Sequence, residues 1–327
     1  MRFPLRVVIK SCIAGLEEAC RVALTKNPRL QILVENSQLV ISDVMDSTTT
    51  VLLCEPSTGA SLIDQPEYSK IVWMQSTYAG VNALLGNSTR RDYLCTRIGS
   101  GFGPQMAEYC MGWILHHYLC CDKSIQDQLA CQWDSTPYIS RKRGLQGKVL
   151  GILGAGNIGT SIAITASAFG MNPIGFVRNS SRTIATSHVL SSWTTTSLEE
   201  VLRSSDVLIN CLPSTPQSRN MLTLEKFDIC KENMPIFINV GRGDIAAEET
   251  ILEALDRGYL SRAVLDVFPI EPIPSTSRLW THPKINITPH ISALSTPDIV
   301  ATVFISNLEK FIDSHTLEYV VDMTAGY

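Results

Sequence analysis

Residues 148–159 constrain this chain more than any other stretch. Lys148 to Leu153 is an apolar run of strand length, Gly154-Ala155-Gly156-Asn157-Ile158-Gly159 follows at once, and TSIAITASAFG from Thr160 then reads as a helix. A strand that turns into a helix on glycines spaced G-x-G-x-x-G opens a β-α-β unit of a doubly wound parallel sheet. Each glycine has its own reason. Gly154 permits the tight turn, Gly156 lets backbone come close to a bound group, and Gly159 lets helix and strand pack closely. The first N–H groups of the helix have no partner within it and form an anion site. The pyrophosphate of a dinucleotide fits that site, held by Gly154, Gly156, Asn157, Ile158 and Gly159.

The second strand, PIGFVRN, bears on which dinucleotide. An acid about 20 residues after the glycines accepts from a free ribose 2′-hydroxyl. Here Val177, Arg178 and Asn179 stand instead, and no Asp or Glu occurs between Asp134 and Glu199. A carboxylate would repel a 2′-phosphate, whereas Arg178 can pair with one. NADP(H) is therefore expected over NAD(H), with Arg178 and Asn179 beside the ribose.

The rest of the chain alternates in the same way. LRVVIK, QLVISD, TVLLCE and KIVWMQST read as strands and GLEEACRVALTKN as a helix, the pattern of a parallel α/β domain. GSGFGP at 99–104 reads as a hinge or domain boundary, and QMAEYCMGWILHHYLCC after it as one long apolar helix. The chain has 327 residues, enough for two domains. The fold expected is α/β with two Rossmann-like doubly wound domains. A coenzyme domain at 101–291 is inserted into a second domain made of 1–100 and 292–327, whose last helix, TPDIVATVFISNLEKFID, packs back on the first part.

Composition excludes several classes of function. A net charge of −4 argues against nucleic acid as partner. The basic clusters Arg90-Arg91 and Arg141-Lys142-Arg143 read as solvated loops. The ten cysteines form no C-x-x-C pair, so no metal site is expected and a reduced, cytoplasmic setting is. The start MRFPLRVVIKSC is too short and interrupted for a signal peptide, no run is long enough to span a membrane, and the TAGY end carries no targeting tripeptide.

Three chemically capable side chains follow predicted strands. PIFINV runs into Gly241-Arg242-Gly243, AVLDVF into Pro269-Ile270-Glu271-Pro272, and KINITP into His290. Ligands of open α/β sheets bind outside the carboxyl ends of strands, so the three emerge where a substrate beside a nicotinamide would lie. Reducing a 2-oxo acid requires a proton for the carbonyl oxygen, which a histidine near neutrality supplies. A carboxylate on its other ring nitrogen fixes the tautomer, and an arginine clamps the substrate carboxylate and polarises the carbonyl.

The chain resembles the D-isomer-specific 2-hydroxyacid dehydrogenases over nearly its whole length. The resemblance is carried by Trp73 to Val81 (WMQSTYAGV), Gly154 to Gly159, Asn239 to Gly243 (NVGRG), Leu265 to Pro272 (LDVFPIEP) and Pro289 to Ser292 (PHIS). The stretch from Arg91 to Tyr109 is similar to the NADPH-linked glyoxylate/hydroxypyruvate reductase branch. The resemblance implies two domains around a cleft, a substrate (lid) domain and a coenzyme domain, and a D-specific oxidoreductase acting on a small 2-oxo or 2-hydroxy acid. It implies Arg242, Glu271 and His290 as the catalytic set. Substrate would be held by Ala79, Gly80, Arg242 and His290. Cys211, Leu212, Pro213 and Val240 would border the coenzyme, and Asp266 would meet the nicotinamide amide. It further implies a homodimer joined through the coenzyme domain, with Trp133 in the dimer arm. Tyr78, Phe102 and Trp280 are each either a pocket wall or a core residue. The competing reading is a catalytically weak, nicotinamide-sensing corepressor-like scaffold of the same fold, which would carry an added interaction tail. A formate dehydrogenase is disfavoured, since glutamine stands there in place of Glu271.

Overall fold

The structure, a computed structural model, describes residues 5–25, 33–35, 38–41, 49–87, 90, 92–141, 144–178 and 193–323. It divides into two units, 1–101 with 295–327, and 102–294.

The first unit is built on β1 (Leu5–Lys10), α1 (Leu16–Thr25), β2 (Leu33–Glu35), β3 (Gln38–Ile41), β4 (Thr49–Cys54), α2 (Pro56–Leu62), β5 (Ile71–Ser76), α3 (Asn82–Asn87) and β6 (Leu94–Thr96). Its sheet runs β2-β3-β1-β4-β5-β6, parallel from β1 through β6 with β2 and β3 antiparallel at one edge. Five of six residues of β5 are buried, as a strand covered on both faces requires. In α1, Leu16, Cys20 and Leu24 recur every fourth position and form its buried face.

The C-terminal segment completes this unit. Its helix, Pro297–Ile312, packs on α1. Trp73 lies between two of its rings, Phe304 at 5.6 Å and Phe311 at 5.3 Å. Buried Asn307 bonds Gln75 Oε1 at 3.3 Å, and Gln75 in turn accepts from Thr96 at 2.7 Å. Beyond the helix, Val320 bridges Thr96 and Val321 N donates to Cys95 O, so the tail pairs with β6.

The second unit comprises α4 (Phe102–Tyr118), α5 (Cys121–Leu129), α6 (Thr136–Arg141), β7 (Val149–Leu153), α7 (Asn157–Ala168), β8 (Asn172–Phe176), β9 (Thr194–Thr195), α8 (Leu198–Ser204), β10 (Val207–Asn210), α9 (Leu224–Asp228), β11 (Ile236–Asn239), α10 (Glu248–Asp256), β12 (Arg262–Leu265) and β13 (Ile285–Ile287). All seven strands are parallel, in the order β13-β12-β11-β10-β7-β8-β9. Strand order reverses between β7 and β10, the switch point where such sheets take ligands. Side chains alternate between two cores. Leu150, Ile152, Val207, Ile209, Ile236 and Ile238 meet α4 and α7, while Leu153, Leu208, Phe237, Ala263 and Leu265 meet α8 to α10.

Three sequence expectations change. The stretch GSGFGP contains the division between the units, after Gly101, but is not all hinge, because α4 begins at Phe102 and proline is tolerated in a first helical turn. Gly103 is needed for helix packing there, since a Cβ would come 2.8 Å from Ser161 Cβ on α7. The long apolar helix breaks at Cys120, whose φ of 56° ends α4 and starts α5. Arg90 is not solvated: it donates to the carbonyls of Tyr68 at 2.8 Å and Ile71 at 2.7 Å, and also pairs with Asp92. Arg91, Lys142 and Arg143 lie outside the described residues. Of the three residues read as pocket wall or core, Phe102 is core, 6% exposed.

Candidate active site

The glycine turn has the backbone that its spacing demands. Gly154 takes a φ of +103°, and its N–H donates to Phe176 O at 3.1 Å. A Cβ on Gly159 would fall 2.1 Å from Gly154 O, so helix and strand meet only through glycine. A Cβ on Gly156 would meet nothing within 4 Å, so its outer side is open. No side chain caps α7, and the N–H groups of Ala155 and Gly156 find no acceptor among the described residues. Open space, bare donors and a helix N-terminus fit a dinucleotide pyrophosphate. Ile158 and Asn157 open the same helix.

The loop after β10 closes on this turn. The Cys211 carbonyl carbon is 3.3 Å, and Leu212 Cδ2 3.2 Å, from where a Gly154 Cβ would be. Burial pushes the Cys211 thiol up to about 12, which leaves it a neutral wall rather than a nucleophile. Pro213 is exposed beyond it, and buried Val240 donates to Asn210 O at 3.1 Å. At the end of β8, Val177 is half-buried and Arg178 is exposed; Asn179 lies outside the described residues.

Two buried amides that the sequence reading passed over set the next loop. Asn210 and Asn239 end the adjacent strands β10 and β11 in register with each other. Asn210 Oδ1 accepts from Leu212 N at 3.1 Å, and its Nδ2 donates to Asn239 Oδ1 at 2.9 Å. Asn239 Oδ1 also accepts from Gly241 N, and its Nδ2 donates to Arg242 O at 3.0 Å. The backbone from which Arg242 projects is thus fixed from below. Gly243 makes room for the following loop, since a Cβ there would lie 2.0 Å from the Phe268 carbonyl carbon.

That loop brings Glu271 to His290. Glu271 Oε1 accepts from Phe268 N at 2.9 Å, and Oε2 meets His290 Nδ1 at 2.7 Å. The imidazole Nε2 has no partner among the described residues, and the His290 side chain is 51% exposed. Hydrogen bonding to Glu271 raises the His290 pKa; burial and the Arg242 charge pull against this, and the Glu271 charge adds to it. Burial alone would raise the Glu271 carboxyl, but the bonds from His290 and Phe268 N outweigh it and the net shift is downward. Each partner therefore favours the charged form of the other.

Asp266 holds the histidine loop from inside. It is fully buried, and its Oδ1 accepts from Thr288 Oγ1 at 2.5 Å and Ile291 N at 2.8 Å. Its Oδ2 accepts from Ser292 N at 2.9 Å, and its carbonyl from His290 N at 2.9 Å. Thr288 is in turn bonded to Tyr109 Oη on α4 at 2.6 Å. His290 is kept at a φ of 57°, a conformation rare outside glycine.

In the first unit, the loop after β5 is pinned on three sides. Thr77 N donates to Cys54 O at 3.0 Å, Ser295 Oγ to Thr77 O at 2.6 Å, and Ile98 N to Tyr78 O at 3.2 Å. Ser76 Oγ accepts from Tyr78 N at 3.0 Å. The N–H groups of Ala79 and Gly80 are left with no acceptor among the described residues. Tyr78 is 42% and Trp280 51% exposed, and Trp280 Nε1 donates to Pro274 O at 3.0 Å.

Among the described residues no cluster of His, Cys, Asp and Glu could hold a metal, and no helix is long and apolar enough to cross a membrane.

Comparison with known proteins places this geometry. Residues 111–292 match the family model described as D-isomer specific 2-hydroxyacid dehydrogenase, NAD binding domain. Glyoxylate/hydroxypyruvate reductase A of Photorhabdus laumondii is 36% identical over 229 residues, 70% of either chain. A crystal structure of a D-isomer specific 2-hydroxyacid dehydrogenase family protein from Aeromonas salmonicida has a TM-score of 0.80 at 36% identity, over 97% of this chain and 98% of that one. The NADPH-dependent glyoxylate/hydroxypyruvate reductase of Sinorhizobium meliloti, solved with NADP and sulfate, gives 0.76 at 25% identity, over 98% of this chain and 99% of that one. The chain is an oxidoreductase of the D-isomer specific 2-hydroxyacid dehydrogenase family, on the branch of the glyoxylate/hydroxypyruvate reductase A proteins.

Proposed function

We propose that the protein is an NADP(H)-preferring reductase of small 2-oxo acids of the glyoxylate/hydroxypyruvate type, yielding D-2-hydroxy acids where the product is chiral. The observation that carries this is the His290–Glu271 pair. Its Nε2 is unpartnered among the described residues and it lies within the electrostatic reach of Arg242, at the carboxyl edge of a sheet with a dinucleotide turn.

A reduced nicotinamide dinucleotide held at the turn of Gly154 to Gly159 would supply the hydride for the carbonyl carbon. Arg242 pairs with the substrate carboxylate and polarises the carbonyl. His290 gives its Nε2 proton to the carbonyl oxygen, and Glu271 holds the ring so that Nε2 faces outward. Asp266 has both oxygens engaged by the loop around His290. We assign it to positioning that loop rather than to the nicotinamide amide.

The preference for NADP(H) rests on exposed Arg178 at the end of β8 and on the lack of any acid from 135 to 198. A second copy of the chain is the proposed cover for Leu129, Trp133 and Ile139, apolar side chains exposed by 79% or more on the segment after α4. Ten free cysteines fit a reducing, cytoplasmic compartment.

Steady-state kinetics with glyoxylate, hydroxypyruvate and phenylpyruvate, each with NADPH and NADH, test the proposal. Turnover with NADPH above NADH is the expected result. Arg178→Ala should weaken NADPH by roughly 10-fold or more, the lower end for a charge-assisted bond at an exposed site, and leave NADH nearly unchanged. Equal use of both coenzymes by wild type, or equal loss of both in the variant, refutes the preference. Absence of turnover on any 2-oxo acid refutes the activity.

A further inference from the structure

The segment that carries His290 has no helix or strand of its own. β13 ends at Ile287, and the C-terminal helix begins at Pro297. Between them His290 keeps its φ of 57°, a conformation that persists outside glycine only where the surroundings enforce it. Asp266 grips the middle of the segment through Ile291 N and Ser292 N. Both of its ends are gripped by α4.

Gln105 holds the far end. Its Nε2 donates to Leu294 O at 3.1 Å, and its Oε1 accepts from Leu294 N at 2.9 Å. One side-chain amide thus satisfies both backbone groups of Leu294, as a neighbouring strand would. Tyr109 holds the near end, with its Oη 2.6 Å from Thr288 Oγ1. Thr288 gives its one hydroxyl proton to Asp266 Oδ1, so Tyr109 is the donor in that bond.

Gln105 and Tyr109 stand four apart on α4 and therefore share a face. Gly103 lies about 200° around the helix from Gln105, on the opposite face. A Cβ there would be 2.8 Å from Ser161 Cβ and 3.6 Å from Asn157 O. Asn157 is the first residue of α7 and belongs to the dinucleotide turn. Between these contacts Ala107, Cys110 and Ile114 are buried in the core, so the helix cannot shift freely. One face of α4 lies against the coenzyme turn, and the other grips the segment bearing the histidine.

Reduction of a carbonyl requires a hydride at the carbon and a proton at the oxygen bonded to it. A misplacement of about 1 Å costs on the order of 100-fold in rate. We propose that Gln105 and Tyr109 are positioning residues that set His290 against the coenzyme turn through α4. This rests on the reading of His290 as the proton donor.

The test is the pH profile of kcat for glyoxylate with saturating NADPH, together with the KM for NADPH. The charged groups that face His290 are Glu271, Arg242 and Asp266, and no variant used here alters them. Gln105→Ala frees Leu294, and Tyr109→Phe removes the hydroxyl while keeping the ring. Each should lower kcat by ~10-fold or more and leave the coenzyme KM near wild type. A loosened segment weakens the His290–Glu271 bond, so the pH at which reduction fails should also move down. Gln105→Glu keeps the size of the side chain. Its carboxylate still accepts from Leu294 N but sets a second oxygen against Leu294 O. Its defect relative to wild type should shrink as pH falls toward ~4, where the carboxyl takes a proton and donates again. A wild-type kcat in either Gln105→Ala or Tyr109→Phe overturns the proposal. So does a loss of kcat with a matching rise in coenzyme KM and an unmoved pH limb, which marks general loosening of the unit. A Gln105→Glu defect of the same size at every pH overturns it as well. A wild-type enzyme inactive on every 2-oxo acid overturns the reading of His290 instead, a result distinct from these.

Discussion

Asp266→Ala separates a residue that positions the histidine loop from one that contacts coenzyme. The substitution strands Thr288 Oγ1, Ile291 N and Ser292 N, which donate to Asp266 at 2.5, 2.8 and 2.9 Å. Ser292 is 3% exposed, so its N–H has no ready access to water, whereas Ile291 is 47% exposed and Thr288 is half-buried. Hydrogen bonds to a charged acceptor contribute roughly 1.5–3 kcal/mol each. Counting Ser292 in full and the other two at half gives about 3–6 kcal/mol. For a unit the size of 102–294 that is a fall in Tm on the order of 10 °C. Tryptophan fluorescence is a suitable reporter, because Trp113, Trp133, Trp193 and Trp280 lie in this unit and Trp73 alone in the other. The freed loop also lets His290 leave its φ of 57°, so kcat should fall while the KM for coenzyme stays near wild type. A Tm within about 2 °C of wild type, well below the shift expected, together with a raised coenzyme KM, would refute the positioning role and return Asp266 to the nicotinamide.

The pH dependence of reduction follows from the His290–Glu271 pair. The His290 pKa is raised, so the protonated ring persists below that value and reduction fails as pH climbs through it. Glu271→Gln should move that failure to lower pH, and an unchanged profile of kcat against pH would mean that the pair has no part in the proton transfer. His290→Asn should lower kcat by at least ~100-fold while fluorescence titration shows coenzyme binding retained, and near-normal turnover removes it from the mechanism. Arg242→Lys keeps the charge and loses the planar fork, so kcat/KM for 2-oxo acids should fall steeply with coenzyme affinity unmoved; the reverse pattern would assign Arg242 to the coenzyme.

What the sequence made legible was the part that single positions dictate. Gly154 and Gly159 are required by a positive φ and a close backbone contact, and these demands are local. Arg242, Glu271 and His290 stood out because each follows an apolar run, and the structure bonds the latter two. The supports were not legible because they depend on which strands are neighbours. Asn210 and Asn239 meet only because β10 pairs with β11, although VLIN and IFIN both end in asparagine and could have been matched on that. The Tyr109–Thr288 bond joins residues 179 apart. The break at Cys120 had no glycine or proline to announce it, and Phe102 gave no sign of which side it would face.

The first unit cannot be finished until residues 297–321 exist. A ribosome makes β1 to β6 first, then all of 102–294, and only then the helix that covers Trp73 and the tail that pairs with β6. Meanwhile Trp73 has no aromatic partner, Gln75 lacks Asn307, and the edge of β6 is open to pairing with any passing strand. The nascent N-terminal sheet is therefore a waiting surface, and holdase chaperones should engage it until residues 297–321 emerge. A message truncated shortly before residue 295 would yield a dinucleotide-binding unit with every strand present, joined to a sheet that never closes. Quality control can thus read the arrival of that helix from a single uncovered indole.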